Sequence, residues 1–259
     1  MSDKIRLGML TPSSNTTLEP LTAAMVADVP GVSAHFSRFR VTQIALSKEA
    51  LGQFDDREIM AAAELLADAK VDVIAWNGTS ASWLGFDSDE KLCQRIEGAT
   101  GVPACTSVLA FREIFDLTGV RRVGLVTPYR TDVQTKIMSN WARSGYQCSA
   151  ERHLDLQDNF SFAEVSSDAL AGMIRAVAAE GCDAAAIVCT NLAGAPLVNA
   201  LEAELGIPVY DSIATTVWKS LRLAGRDTAA LANWGGMFRN PALAADQKSA
   251  RATVSATSV

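Results

Sequence analysis

The sequence predicts an α/β protein of two pseudo-symmetric, doubly wound lobes, each a four-stranded parallel sheet flanked by helices, with a ligand site in the cleft between them. First, apolar runs of four to eight residues alternate with longer segments of 3.6-residue periodicity, such as Asp56 to Ala69 and Phe162 to Glu180, the pattern of βαβ units. Second, three segments recur in the same order. IRLGMLTP (Ile5 to Pro12) answers RRVGLVTP (Arg121 to Pro128), VDVIAWNGTS (Val71 to Ser80) answers CDAAAIVCTN (Cys182 to Asn191), and GVPACTS (Gly101 to Ser107) answers GIPVYDS (Gly206 to Ser212). Offsets of 105 to 116 residues fit two homologous halves. Third, 259 residues exceed the ~100–150 typical of one domain but suit two compact lobes.

Taken in order, strands are expected near 5–11, 33–41, 71–77 and 102–106 in the first half and near 121–127, 146–152, 183–189 and 207–211 in the second, with helices between them. Residues 1–117 form the N-terminal lobe and 118–212 the C-terminal lobe, the segment 213–239 packing back on the first. The stretch 240–259 is rich in Ala, Ser and Thr and is expected to be a frayed tail.

A net charge of -6, with no Lys/Arg run longer than Arg121-Arg122, argues against a nucleic-acid or anionic-membrane surface. Five cysteines (Cys93, Cys105, Cys148, Cys182, Cys189) without C-x-x-C spacing indicate neither a disulfide framework nor a zinc site. With only His35 and His153, and no G-x-G-x-x-G or P-loop, no metal or nucleotide cofactor is expected. No signal-peptide core or ~20-residue apolar span is visible, so a cytoplasmic location is expected.

Ligands of open parallel sheets gather outside the carboxyl ends of the strands. Four polar clusters fall at such ends: Pro12 to Thr16, Asn77 to Ser80, Thr127 to Tyr129, and Cys189 to Asn191. In an acidic protein, a carboxylate would be held by backbone N–H groups and hydroxyls at helix starts. The same residues also read as turns and caps: Thr16 with Glu19, and Thr131 with Gln134, have capping-box spacing. Four cysteines are assigned to the interior. Cys189 stands apart because the matching position in the other half, Gly78, also lies in a polar cluster.

At these residues the chain resembles the aspartate/glutamate racemase superfamily, whose two lobes offer cysteines to opposite faces of an acid substrate. LTPSSNTTLE and QDNFSFAEV are similar to elements of maleate cis-trans isomerases, whereas NGTSASW and WKSLRLAG resemble arylmalonate decarboxylase. The resemblance implies that Thr79, Ser80 and Tyr129 hold one carboxylate in an oxyanion hole completed by the Thr190 N–H, that Cys189 donates a proton, and that Asn15 and Asn159 hold a second carboxylate. It implies no cofactor, a small dicarboxylate as partner, and is compatible with a homo-oligomer. Gly78 departs from the isomerases, which carry a nucleophilic cysteine there, and Thr190-Asn191 departs from the decarboxylase, which has a glycine pair.

Racemisation needs a base and an acid on opposite faces of the α-carbon, and Gly78 leaves one face without a thiol. Isomerisation through an adduct needs a thiolate to attack the alkene. Decarboxylation needs one acid, because CO2 leaves without a proton acceptor. The first expectation is therefore cofactor-independent decarboxylation of a substituted malonate through an enediolate protonated by Cys189. Maleate isomerisation or racemisation on a small dicarboxylate stays open, as does a non-catalytic acid-binding protein.

Overall fold

The computed structural model describes residues 4–46 and 56–244. Its strands are β1 (Ile5–Pro12), β2 (Val32–Phe39), β3 (Val73–Trp76), β4 (Ala104–Thr106), β5 (Arg122–Thr127), β6 (Gln147–His153), β7 (Ala184–Ile187) and β8 (Val209–Asp211). They form two four-stranded parallel sheets of identical topology, β2-β1-β3-β4 and β6-β5-β7-β8. The inner strands explain the apolar runs: every residue of β3 and of β7 is buried, as strands covered by helices on both faces require. β2 is largely half-buried and carries His35, Ser37 and Arg38, residues suited to an edge.

Register makes the duplication quantitative. Trp76 lies opposite Leu10 on one side and Thr106 on the other, and Ile187 lies opposite Val126 and Asp211. Trp76 and Ile187 are thus equivalent, and two residues further on so are Gly78 and Cys189. Thr106 and Asp211 are equivalent N-caps: Thr106 accepts from the Leu109 N–H at 3.1 Å, and Asp211 from those of Ile213 and Ala214 at 2.8 and 3.1 Å. Between them the Ser107 hydroxyl donates to the Ser212 carbonyl at 3.2 Å, joining the two halves at matched positions.

The lobes meet over an aromatic cluster. Trp141, fully buried, packs against Phe86, Phe111 and Phe115 with ring centroids 6.4, 6.1 and 5.6 Å away. Helix Ser212–Leu223 packs on helices Leu18–Ala27 and Ser107–Thr118 of the first half. A short antiparallel contact also links the halves: Ile44 N–H donates to the Gln157 carbonyl and Asn159 N–H to the Thr42 carbonyl, both at 2.9 Å. Among the described residues no helix is long and apolar enough to cross a membrane.

Three expectations need correction. The first helix begins at Leu18 with Thr17 at the cap and no Thr16–Glu19 capping box; Glu19 instead pairs with Arg38 at 2.8 Å. The helix at Thr131 likewise has no side-chain cap, because Gln134 turns inward to accept from the Thr127 hydroxyl at 2.7 Å and donate to Glu151 at 2.9 Å. The stretch from Asn240 is not frayed from its start. Pro241–Ala244 is helical, Leu243 is buried, and its carbonyl accepts the Trp218 indole N–H at 3.2 Å. The rest of the expected tail, 245–259, lies outside the described residues.

Candidate active site

The four strand-end clusters converge between the lobes. At the end of β1, Pro12 to Asn15 make a turn closed by the Asn15 N–H on the Pro12 carbonyl at 3.0 Å. The Asn15 side chain does the work expected of a cap: its Oδ1 accepts the Thr17 and Leu18 N–H groups at 3.0 and 2.9 Å. Its Nδ2 donates to the Thr190 hydroxyl of the other lobe at 3.2 Å, which donates in turn to the Asn77 carbonyl at 2.9 Å. Asn159 Nδ2 donates to the Ser14 hydroxyl at 2.8 Å. An amide nitrogen carries two hydrogens, so each of these asparagines has one beyond the single Nδ2 bond described.

Thr79 and Tyr129 form the second group. Their hydroxyls are 2.5 Å apart, and both residues are buried. Tyr129 is held edge-on between Trp83 and Phe162, with centroids 5.3 and 5.7 Å away. Its hydroxyl and the Cys189 thiol lie close enough for each to shift the other's acidity, which places Thr79, Tyr129 and Cys189 in one cluster. Ser80 is the first residue beyond the loop and holds the N-cap position of helix Ala81–Leu84; its side chain makes no cap bond.

Burial pushes the Cys189 thiol up to about 12, against the opposing pull of the Asn191 and Leu192 N–H groups and the Tyr129 hydroxyl. The Asn191 N–H lies 3.4 Å from Sγ. The neutral thiol is therefore the form held at neutral pH, with the surrounding donors opposing part of the rise that burial causes. Acidity alone does not single out this cysteine: burial raises Cys105 to about 11 and Cys148 to about 12, and raises Cys93 and Cys182 as well. Its partners do, since only here does the thiol meet the strand-end hydroxyls.

Gly78, at the position equivalent to Cys189, is bounded on its side-chain face by Trp76. A Cβ built there would lie 1.9, 2.3 and 2.5 Å from Cζ2, Cε2 and Cη2 of the indole. Trp76 is 1% exposed, and its ring is 5.1 Å from that of Phe39.

The structure brings together Asn15, Thr79, Tyr129, Asn159, Cys189 and Thr190, with Gly78 and Ser80 flanking Thr79. It also reveals a residue that sequence reasoning left unassigned. Asn191 accepts the Thr16 and Thr17 N–H groups at 3.0 and 3.2 Å through Oδ1 and donates from Nδ2 to the Asn159 carbonyl at 2.6 Å. It fastens the β1 turn, the Asn159 loop and the cysteine turn to one another. Its place beside Cys189, where a smaller residue would suffice for a turn, was the available signal.

Two like-folded lobes whose strand ends meet over a buried thiol are the architecture of the aspartate/glutamate racemase superfamily. A sequence model described as arylmalonate decarboxylase matches residues 7–238. The chain belongs to the arylmalonate decarboxylase family, an enzyme family. It is 29% identical to a maleate isomerase of Pseudomonas putida over 237 residues, 86% of this chain and 92% of the relative. It is 30% identical to the arylmalonate decarboxylase of Bordetella bronchiseptica over 169 residues, 64% of this chain and 70% of the relative. Among solved structures, the maleate isomerase Iso from Pseudomonas putida S16 superposes with a TM-score of 0.78 at 26% identity, over 87% of this chain and 95% of that one. Relatives of both reaction types thus accompany the chain.

Proposed function

We propose that the protein decarboxylates a substituted malonate without a cofactor. The observation that carries this reading is the one-sidedness of the site: a neutral thiol at Cys189 on one lobe and, at the equivalent position of the other, a glycine covered by an indole. The C–CO2 bond breaks, CO2 departs, and the electron pair enters the enediolate of the remaining carboxylate. Thr79, Tyr129, Ser80 and the Thr190 N–H hold its oxygens, each oriented donor being worth about 3 kcal/mol. Cys189 then gives its proton to the α-carbon, and solvent reprotonates the thiolate. The second amide hydrogens of Asn15 and Asn159 suit a polar or carboxylate group on the substrate.

A raised thiol supports the acid role more than the nucleophilic one. An acid held at about 12 stays protonated across the usual assay range, so turnover is expected to stay level from pH 7 to 9 with respect to this group. A nucleophilic thiolate would instead give a rate rising about tenfold per pH unit there. Maleate isomerisation is the second reading, favoured by the polar asparagine pair and by the long alignment with a maleate isomerase.

Proton NMR in D2O with α-substituted malonates, maleate and α-chiral acids decides between them. Release of CO2 with one deuterium placed stereoselectively at the α-carbon, lost in Cys189→Ala, is the expected result. Fumarate formed from maleate, or deuteration of an intact acid, would sink the decarboxylase reading.

A further inference from the structure

We infer that Trp76 is the residue that keeps the site one-sided: its indole occupies the volume that any side chain at position 78 would need, so it excludes a second proton-carrying group from the first lobe. The inference rests on the placement of the site between the strand ends. Only its stereochemical readout rests on the decarboxylase reading.

Strand register makes position 78 the counterpart of Cys189. A side chain there would project from the first lobe as Cys189 does from the second, toward the opposite face of a ligand. The absence of a thiol could reflect the glycine alone, in which case one substitution would restore it. The packing says otherwise. A Cβ at 78 would sit 1.9 Å from Trp76 Cζ2, and three ring atoms lie within 2.5 Å of it. Real carbon contacts are near 3.5–4.0 Å, so the whole ring would have to move by well over 1 Å. Trp76 is shut away from solvent. It is 1% exposed, every residue of β3 is buried, and Phe39 backs the ring at 5.1 Å. Glycine and tryptophan are therefore a coupled pair, and Trp76 is a positioning residue: it acts through the shape it imposes on position 78.

This coupling predicts a reversal of sign. Gly78→Cys in the wild-type background is expected to lower Tm by about 3–10 °C, the cost of overpacking in a protein of this size. In a Trp76→Ala background the same change is expected to raise Tm, because the thiol fills part of the space left by the indole. All four proteins are measured by calorimetry under reductant, which prevents a disulfide with Cys189. If Gly78→Cys fails to fold, Gly78→Ala with and without Trp76→Phe gives the same comparison.

The chemical readout is α-proton exchange. Trp76→Ala/Gly78→Cys is expected to wash deuterium from D2O into the acid product at least about tenfold faster than wild type, with loss of enantiomeric purity, because an acid and a base then face the two sides. An equal Tm change in both backgrounds, or no loss with Gly78→Cys alone, would overturn the inference. Should the wild type turn over no malonate, the proposed function fails while the Tm cycle still decides this one.

Discussion

The ends of β3 and β7 are the same place in two copies of one fold, and they differ by an exchange of volume. Trp76 and Ile187 occupy equivalent register positions, and each lies against a glycine. For Trp76 it is Gly78, two residues on. For Ile187 it is Gly194, where a Cβ would meet Ile187 Cδ1 at 2.5 Å and Asp211 Oδ2 at 2.7 Å. The smaller isoleucine thus leaves position 189 open, and a thiol stands there. The larger indole fills position 78. Identical backbone topology therefore leaves the two strand ends free to differ; the size of the last strand residue, and the direction in which it leans, go with which lobe carries the thiol.

The largest break in this comparison is removal of the thiol. Cys189→Ala is expected to lower turnover about 10²- to 10⁴-fold, the usual worth of an acid–base group, with Tm changed little; single-turnover NMR in D2O measures it. Next come the donors opposite the thiol. Tyr129→Phe or Thr79→Ala removes one partner of the 2.5 Å pair and is expected to cost about 10²-fold in kcat, and the double variant less than the product of the two, because both hydroxyls serve one hydrogen-bonded unit.

The second lobe's glycine gives a smaller, purely structural test. Gly194→Ala is expected to destabilise by about 1–3 kcal/mol in the wild-type chain, and by less when introduced into an Ile187→Ala background, as read by urea unfolding of the four proteins. The last test reads a slope with pH and concerns the paired caps Thr106 and Asp211. Burial raises Asp211 from 3.8 to about 7, so between those values the folded chain holds a proton that the unfolded chain has released. Its contribution to stability is complete below about pH 4 and is lost as pH rises toward 7. Asp211→Thr, which gives the second lobe the first lobe's cap, is expected to flatten that decline by at most about 1.4 kcal/mol per pH unit. Asp89, likewise raised to about 7 by burial, keeps its own share of the slope.

Much of this was legible in the chain. Periodicity and the repeated segments gave both sheets and the strand ends, because a fully buried parallel strand leaves an unbroken apolar run. Cys189 was legible as the break in a repeat. The caps were misread because spacing alone treats Thr16 and Glu19 as local partners, whereas Asn15 and, across 175 positions, Asn191 supply the acceptors. Trp76 was hidden for a different reason. Within a strand it reads as one more core residue, and only three-dimensional packing reveals that its ring lies over the neighbour two positions along.

The bonds that join the lobes bear on how the protein acquires activity. Thr16 and Asn15 of the β1 turn meet Asn191 and Thr190 across 175 positions of chain, far longer loops than any that close within either sheet. Closing the longer loop costs more chain entropy, and its few polar contacts offer little until both sheets are in place. Regained turnover is therefore the clock of the last assembly step: during refolding it should lag the return of helical circular dichroism.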